Sequence, residues 1–74
     1  MYGKHKITIT KLIVNIFNLI VDGSYCLDIG CHSGNLGEAL IKYKKCIVDG
    51  VDQNIKALEI AKKRGYRNIY HHNH

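Results

Sequence analysis

Proline is absent from the 74 residues, so the turns of this chain must rest on Gly, Asn, Asp and Ser. Paired cysteine is missing too. Cys26, Cys31 and Cys46 are odd in number, and no two stand in a C-x-x-C spacing. That argues against a disulfide scaffold and for a reducing, cytoplasmic setting. Cys26 and Cys46 instead open apolar runs, where an unpaired thiol packs as a small hydrophobe. No apolar run is long enough to cross a bilayer. The longest, near the N-terminus, is interrupted by Asn15, Asn18 and Asp22 and falls well short of the ~18–20 unbroken residues that a spanning helix needs. It also lacks a small-residue cleavage site, so neither a membrane anchor nor a signal peptide is expected. Acidic residues are scarce: 6 Asp and Glu stand against 11 Lys and Arg, a net charge of +5. Lys42, Lys44, Lys45, Lys56, Lys62, Lys63, Arg64 and Arg67 fall on helix-like segments. They read as solvated helix faces with cations toward helix C-termini, or as a phosphate-binding patch for nucleic acid. No aromatic residues interleave with them to stack on bases, which favours the first reading.

What is present fits one small α/β domain spanning residues 1–74. A chain this short buries only about 60–65% of its unfolded surface. Residues 1–6 are polar and expected to fray. Ile9, Leu12, Ile13, Ile16, Phe17 and Ile20 recur at steps of three and four, which predicts a leading helix from about Thr10 to Val21, capped by Thr8 or Thr10, within residues 1–23. The alternation Ile7-Thr8-Ile9-Thr10 argues weakly for a strand at its start. Asp22-Gly23-Ser24 ends this segment with turn chemistry. Residues 24–74 then read as βαβαβ. Tyr25–Ile29 is a short buried strand, and Asn35 to Lys45 a helix with Leu36, Ala39, Leu40 and Tyr43 on one face. Cys46–Val51 is a second strand. Asn54 caps a helix with Ile55, Leu58, Ala61 and Ile60 on its face, which stops at Gly65, and Asn68–Tyr70 begins a third strand. Alternation of this kind predicts a parallel sheet with right-handed crossovers.

The chain is organised around Cys26-Leu27-Asp28-Ile29-Gly30-Cys31-His32-Ser33-Gly34-Asn35-Leu36-Gly37, a strand, a glycine-rich turn and the start of a helix. Such a junction presents free backbone N–H groups, and ligands of open parallel sheets sit beyond the carboxyl ends of the strands. Gly30, Gly34 and Gly37 lie at that end of one strand and Asp52 at that end of the next. Asp52 is placed to accept both ribose hydroxyls of a nucleoside, at close to the ~20-residue separation expected for that role. Asp28 at the mouth would repel a pyrophosphate, and His32 stands where a G-x-G-x-x-G fingerprint has its second glycine. Both features argue against an NAD-binding oxidoreductase half-domain. A cationic nucleoside such as S-adenosylmethionine would instead welcome Asp28.

Asp28-Ile29-Gly30-Cys31-His32-Ser33-Gly34 resembles the first motif, D/E-x-G-x-G-x-G, of class I S-adenosylmethionine-dependent methyltransferases. Gly50-Val51-Asp52-Gln53-Asn54 with Ala57-Leu58-Glu59-Ile60-Ala61 resembles the acidic strand end and helix that follow it. The likeness covers about Tyr25 to Tyr70. It implies a Rossmann-like three-layer αβα fold and S-adenosylmethionine as cofactor, with the three strands forming a half-sheet in the order 3-2-1. Asp28, Gly30 and Gly34 would line the methionine moiety, with Cys31 and His32 in the same loop. Asp52 would hold the ribose, and Gln53 would lie near the adenine. It names no catalytic residue and no methyl acceptor, and no metal site is expected: His71, His72 and His74 crowd the terminus with only Asn73 between them. Two departures stand out. His32 replaces the middle glycine, and the family's sheet continues with four more strands. We therefore expect a cofactor-binding part that leaves Tyr25–Ile29 as an open sheet edge and meets a missing C-terminal half or a second chain there. A degenerate, non-enzymatic module associating through that edge is the rival expectation.

Overall fold

The computed structural model describes residues 5, 7–9 and 16–72. Strand and helix alternate through β1 (Ile7–Ile9), α1 (Ile16–Leu19), β2 (Tyr25–Ile29), α2 (Asn35–Lys44), β3 (Ile47–Asp52), α3 (Ile55–Lys63) and β4 (Ile69–His71). The four strands are parallel and lie side by side in chain order, β1-β2-β3-β4. This is the small α/β, Rossmann-like fold that the alternation implies. Crossovers that always step the same way, with the usual right hand, send successive helices to one face of the sheet. Leu40 of α2 and Leu58 and Ala61 of α3 accordingly enter one core with Cys26 and Val48. The sheet and one helical layer of the expected three are thus described.

Alternation along the strands divides the sheet's two faces. Cys26 and Asp28 of β2, and Val48 and Gly50 of β3, face the helices. Leu27, Asp49 and Val51 face the other way, and all three are buried. Burial on both faces is the mark of interior parallel strands. Asp49 is fully enclosed there and is held by four donors. Arg67 reaches it twice, through Nε at 3.0 Å and Nη2 at 2.6 Å, the Asn68 N–H donates at 3.0 Å, and His5 Nε2 lies 2.8 Å away. Burial alone would raise the pKa of Asp49, but these donors outweigh it and hold the carboxyl below its ordinary range.

The N-terminal segment departs from expectation. Ile7–Ile9 is a strand paired along β2, with Ile7 opposite Cys26 and Ile9 opposite Asp28. Thr8 is therefore a strand residue and not a helix cap. His5, expected to fray, has its side chain buried against Asp49. Tyr25–Ile29 is consequently an interior strand and not the open edge. The β-branched Ile-Thr-Ile alternation is the reason: it suits a pleated strand, and β2 otherwise leaves a row of backbone groups unpaired. The first half of the helix expected from Thr10 to Val21, residues 10–15, lies outside the described residues. Its described part, α1, ends at Leu19. Lys44 then fastens this segment to the end of α2, donating to the Ile20 carbonyl at 2.8 Å with its ammonium 5.0 Å from the centre of the Phe17 ring.

Two helix faces also differ from the expected stripes. Tyr43 is exposed, while Gly37 and Leu40 are the buried residues of α2. A buried glycine leaves no apolar mark in a sequence, so the inferred stripe is rotated away from the true contact face. On α3, Leu58 and Ala61 are buried but Ile55 and Ile60 are exposed. Steps of three drift by about 60° on a helix, which carries Ile55 off the face that Leu58 and Ala61 share. Asn54 caps α3 as expected, its Oδ1 accepting the N–H groups of Lys56 and Ala57 at 3.0 and 3.2 Å.

Helix α2 ends on Lys45 at φ +58°, a left-handed conformation that glycine adopts without penalty. Lys45→Gly is expected to stabilise the protein by about 0.5–1 kcal/mol, the relief of that strain less the extra chain entropy of glycine. Urea unfolding followed by circular dichroism measures it; a lower midpoint would contradict the strain assignment.

Candidate functional site

The turn after β2 folds back onto β3. The N–H groups of Gly30 and Cys31 both donate to the Val51 carbonyl, at 2.7 and 3.1 Å. Gly30 has φ +72°, and a Cβ built on it meets nothing within 4 Å, so its backbone stands open to an incoming group. His32 follows at φ +52° with its ring almost wholly exposed. A side chain at the middle-glycine position has thus been accommodated by a left-handed backbone and a ring turned outward.

Beyond the carboxyl ends of β2 and β3 lies a groove of about 290 Å3. Gly30 and His32 come to it from the first turn, and Asp52 and Gln53 from the second. Ile29 and Val51 form its apolar side. His72, just past β4, closes it: its N–H donates to the Asp52 carbonyl at 3.0 Å, while His71 Nε2 lies 2.9 Å from the Gln53 carbonyl oxygen. Asp52 is the hinge of this arrangement. Its Oδ2 accepts the His32 N–H and its Oδ1 the Asn54 N–H, each at 2.8 Å. Burial would raise its pKa, but those two N–H groups, with the His32 imidazole 4.0 Å away, bring it below the ordinary value. Asp52 is therefore ionised at neutral pH. Each of its oxygens has two lone pairs, so the carboxylate keeps acceptor capacity beyond these N–H groups. The depressed pKa also makes Asp52 a source of stability above the ordinary aspartate range, lost as pH falls through the folded-state value.

Asp28 lies elsewhere. Its Oδ2 accepts the Tyr66 hydroxyl at 2.7 Å, and that hydroxyl accepts the Gly37 N–H at 3.1 Å. Burial raises the Asp28 pKa, the Tyr66 hydrogen bond partly offsets it, and the charge of Asp52 adds to the rise. The Tyr66 phenol is itself pushed up, by burial and then by the Asp28 charge. The buried ring of Tyr66 explains three glycines. A Cβ on Gly37 would come within 2.1 Å of the phenol, one on Gly34 within 2.8 Å of Cε1, and one on Gly50 within 2.8 Å of Cδ2. Gly34 and Gly37 thus leave room for a tyrosine from below. Cys31 is buried on the same side, its Sγ 2.8 Å from where a Gly50 Cβ would stand. Burial, then Asp28 and Asp52, push its thiol up to about 12, so it stays protonated and unreactive.

Of the residues singled out from sequence, Gly30, His32, Asp52 and Gln53 meet in the groove. Asp28, Cys31 and Gly34 lie beneath it, around Tyr66. Two site builders escape sequence reasoning. Tyr66 belongs to no motif in the sequence, and the only hint of its role is the set of glycines it packs against. His72 reads as part of a histidine-rich terminus. Several cations of the basic segments are engaged internally: Lys44 as described, Lys62 with the Arg67 carbonyl, Arg64 with Ser33 and Asn35, and Arg67 with Asp49. Among the described residues no three His, Cys, Asp or Glu side chains are grouped to hold a metal ion, and no helix is long and apolar enough to cross a membrane. Compared with known families and characterised proteins, the chain matches no family model and no curated protein.

Tyr66→Phe removes the hydroxyl that serves both Asp28 and the Gly37 N–H. It is expected to cost about 1–3 kcal/mol, the penalty for unsatisfied buried groups, and to raise the Asp28 pKa further. Carboxyl-carbon NMR titration reads the second effect, and an unchanged Asp28 titration would show that the Tyr66 hydroxyl does not stabilise this carboxylate.

Asp28→Asn tests the burial of that carboxyl. A folded-state pKa above the ordinary 3.8 means that the cost of ionising Asp28 is absent at low pH. It accrues as pH rises from the ordinary value through the raised one. The variant is expected to gain stability relative to the parent at pH 7 and not at pH 3. Equal differences at the two pH values would show that Asp28 titrates normally.

Proposed function

We propose that this chain binds S-adenosylmethionine in the groove above β2 and β3 and is the cofactor-holding part of a methyltransferase whose acceptor is unidentified. The observation that carries this reading is the geometry of Asp52. An ionised carboxylate, pinned by backbone N–H groups on both oxygens, lines the groove and keeps acceptor capacity there, which suits a pair of vicinal hydroxyls. Gly30 adds open backbone beside it, as a group that must approach the main chain requires. The carboxylate fits the ribose of the cofactor, and Gly30 stands where the motif resemblance puts the start of the methionine moiety. Asp52 would take the ribose hydroxyls and Gln53 would stand at the base, in keeping with the motif resemblance. The bound cofactor supplies an electrophilic methyl group. This chain's own share is to hold the nucleoside and fix its orientation, the kind of positioning from which much of a transfer rate arises.

One observation speaks to the dinucleotide alternative. Asp28 is drawn inside by Tyr66, which removes one of the two objections to a pyrophosphate at this turn. The other stands: His32 occupies the position that glycine must hold for the pyrophosphate to approach. We therefore keep the methyl-donor reading.

Calorimetric titration of the full chain with S-adenosylhomocysteine tests it, with NAD in a parallel cell. Binding of the first and not the second is expected. Asp52→Ala is expected to weaken binding by about 10–100-fold, the value of hydrogen bonds to a charged group, in a variant whose circular dichroism shows it folded. Parent-like affinity in that variant would sink the ribose assignment.

A further inference from the structure

We propose that the groove reads the nucleoside alone and gains nothing from an amino-acid tail on its 5′ carbon, so that adenosine binds this chain as well as S-adenosylhomocysteine does. The inference rests on the nucleoside reading above and narrows it. An amino-acid tail carries an ammonium and a carboxylate. To add affinity, a site must offer those charges a partner at its mouth, and the partner must be better than the water it displaces.

Two of the three residues that the motif would lend to that task, Asp28 and Gly34, face the other way. Asp28, the carboxylate that the motif would offer an ammonium, turns to the helix side of the sheet and accepts the Tyr66 hydroxyl on Oδ2 at 2.7 Å. It is not among the residues that line the groove. Gly34, the second glycine of the turn, has Tyr66 Cε1 2.8 Å from its Cβ position and the Cα of Ala61 at 3.2 Å. Its close approach is already occupied by the protein. The Gly37 N–H, one of the free donors a helix start would offer, is taken by the Tyr66 hydroxyl. Tyr66 therefore closes from beneath the half of the turn that a tail would use.

What remains is scaled to a nucleoside. The groove holds about 290 Å3, at the lower end of the ~300–1,000 Å3 of small-molecule sites. Its one ionised carboxylate is Asp52, committed to a diol. Two imidazoles line the groove: His32 has a side chain 87% exposed and lies 4.0 Å from Asp52, and His72 is exposed as well. An imidazole so exposed adds little to the binding of a carboxylate in water.

Titrations of the full chain at pH 7 with adenosine, S-adenosylhomocysteine and 2′-deoxyadenosine decide the matter. Adenosine and S-adenosylhomocysteine are expected to bind within about threefold of one another, and 2′-deoxyadenosine about tenfold or more weakly, because it lacks one of the hydroxyls facing Asp52. A difference beyond about threefold between the first two, in either direction, overturns the indifference to the tail and leaves the nucleoside reading standing. Parent-like binding of the deoxynucleoside overturns the diol on which both rest, and so does the absence of binding by all three to a chain shown to be folded.

Discussion

The hydroxyl of Tyr66 is the point on which the site end of this molecule rests. It donates to a carboxylate on β2 and accepts an N–H from the first turn of α2, while its ring fills the space below the glycine-rich turn. Remove the ring and Gly34, Gly37 and Gly50 border a void; remove the hydroxyl and a buried carboxylate and a buried amide are left unsatisfied together. Glycine-rich turns between a strand and a helix are usually accounted for by what comes to them from solvent. In this protein two of the glycines are accounted for from the inside, and only Gly30 faces outward into open space.

Three of the six acidic residues are buried, and each is stabilised by different means. Asp49 has a guanidinium and further donors around it and stays ionised. Asp52 has two backbone amides and a nearby imidazole and also stays ionised. Asp28 has a single phenol, and burial holds its carboxyl above the ordinary range. The contrast separates structure from function. Asp49 and Asp28 turn their capacity inward, whereas Asp52 keeps acceptor capacity beside a groove. Because these carboxylates are withdrawn from solvent, the face shown to water is more cationic than the formal charge of +5 conveys.

The middle and end of the chain are legible because their signals are local. Tyr25–Ile29 and the strand after Cys46 are short apolar runs between turn residues, Asn54 is a side-chain cap, and Asp52 follows from the strand that it ends. What escapes is set by distant partners. No local pattern says that Asp49 meets Arg67 and His5, or that Gly37 is buried because an aromatic residue arrives from beyond α3. The apolar stripe on α2 misleads for the same reason. The three residues of β1 carry a weak alternating signal that the helical periodicity after them outweighs, and it is the unpaired side of β2 that decides their conformation.

The bonds from Tyr66 to Asp28 and to Gly37 span 38 and 29 residues of chain. During synthesis the motif leaves the ribosome well before the side chain that supports it. Until Tyr66 arrives, the turn lacks its wedge, the carboxylate of Asp28 stays hydrated, and β2 and α2 have no common anchor. Long-range closures of this kind come late in folding. The end of the molecule that carries the groove is therefore assembled last, and a nascent chain that has already displayed the whole motif has not yet formed it.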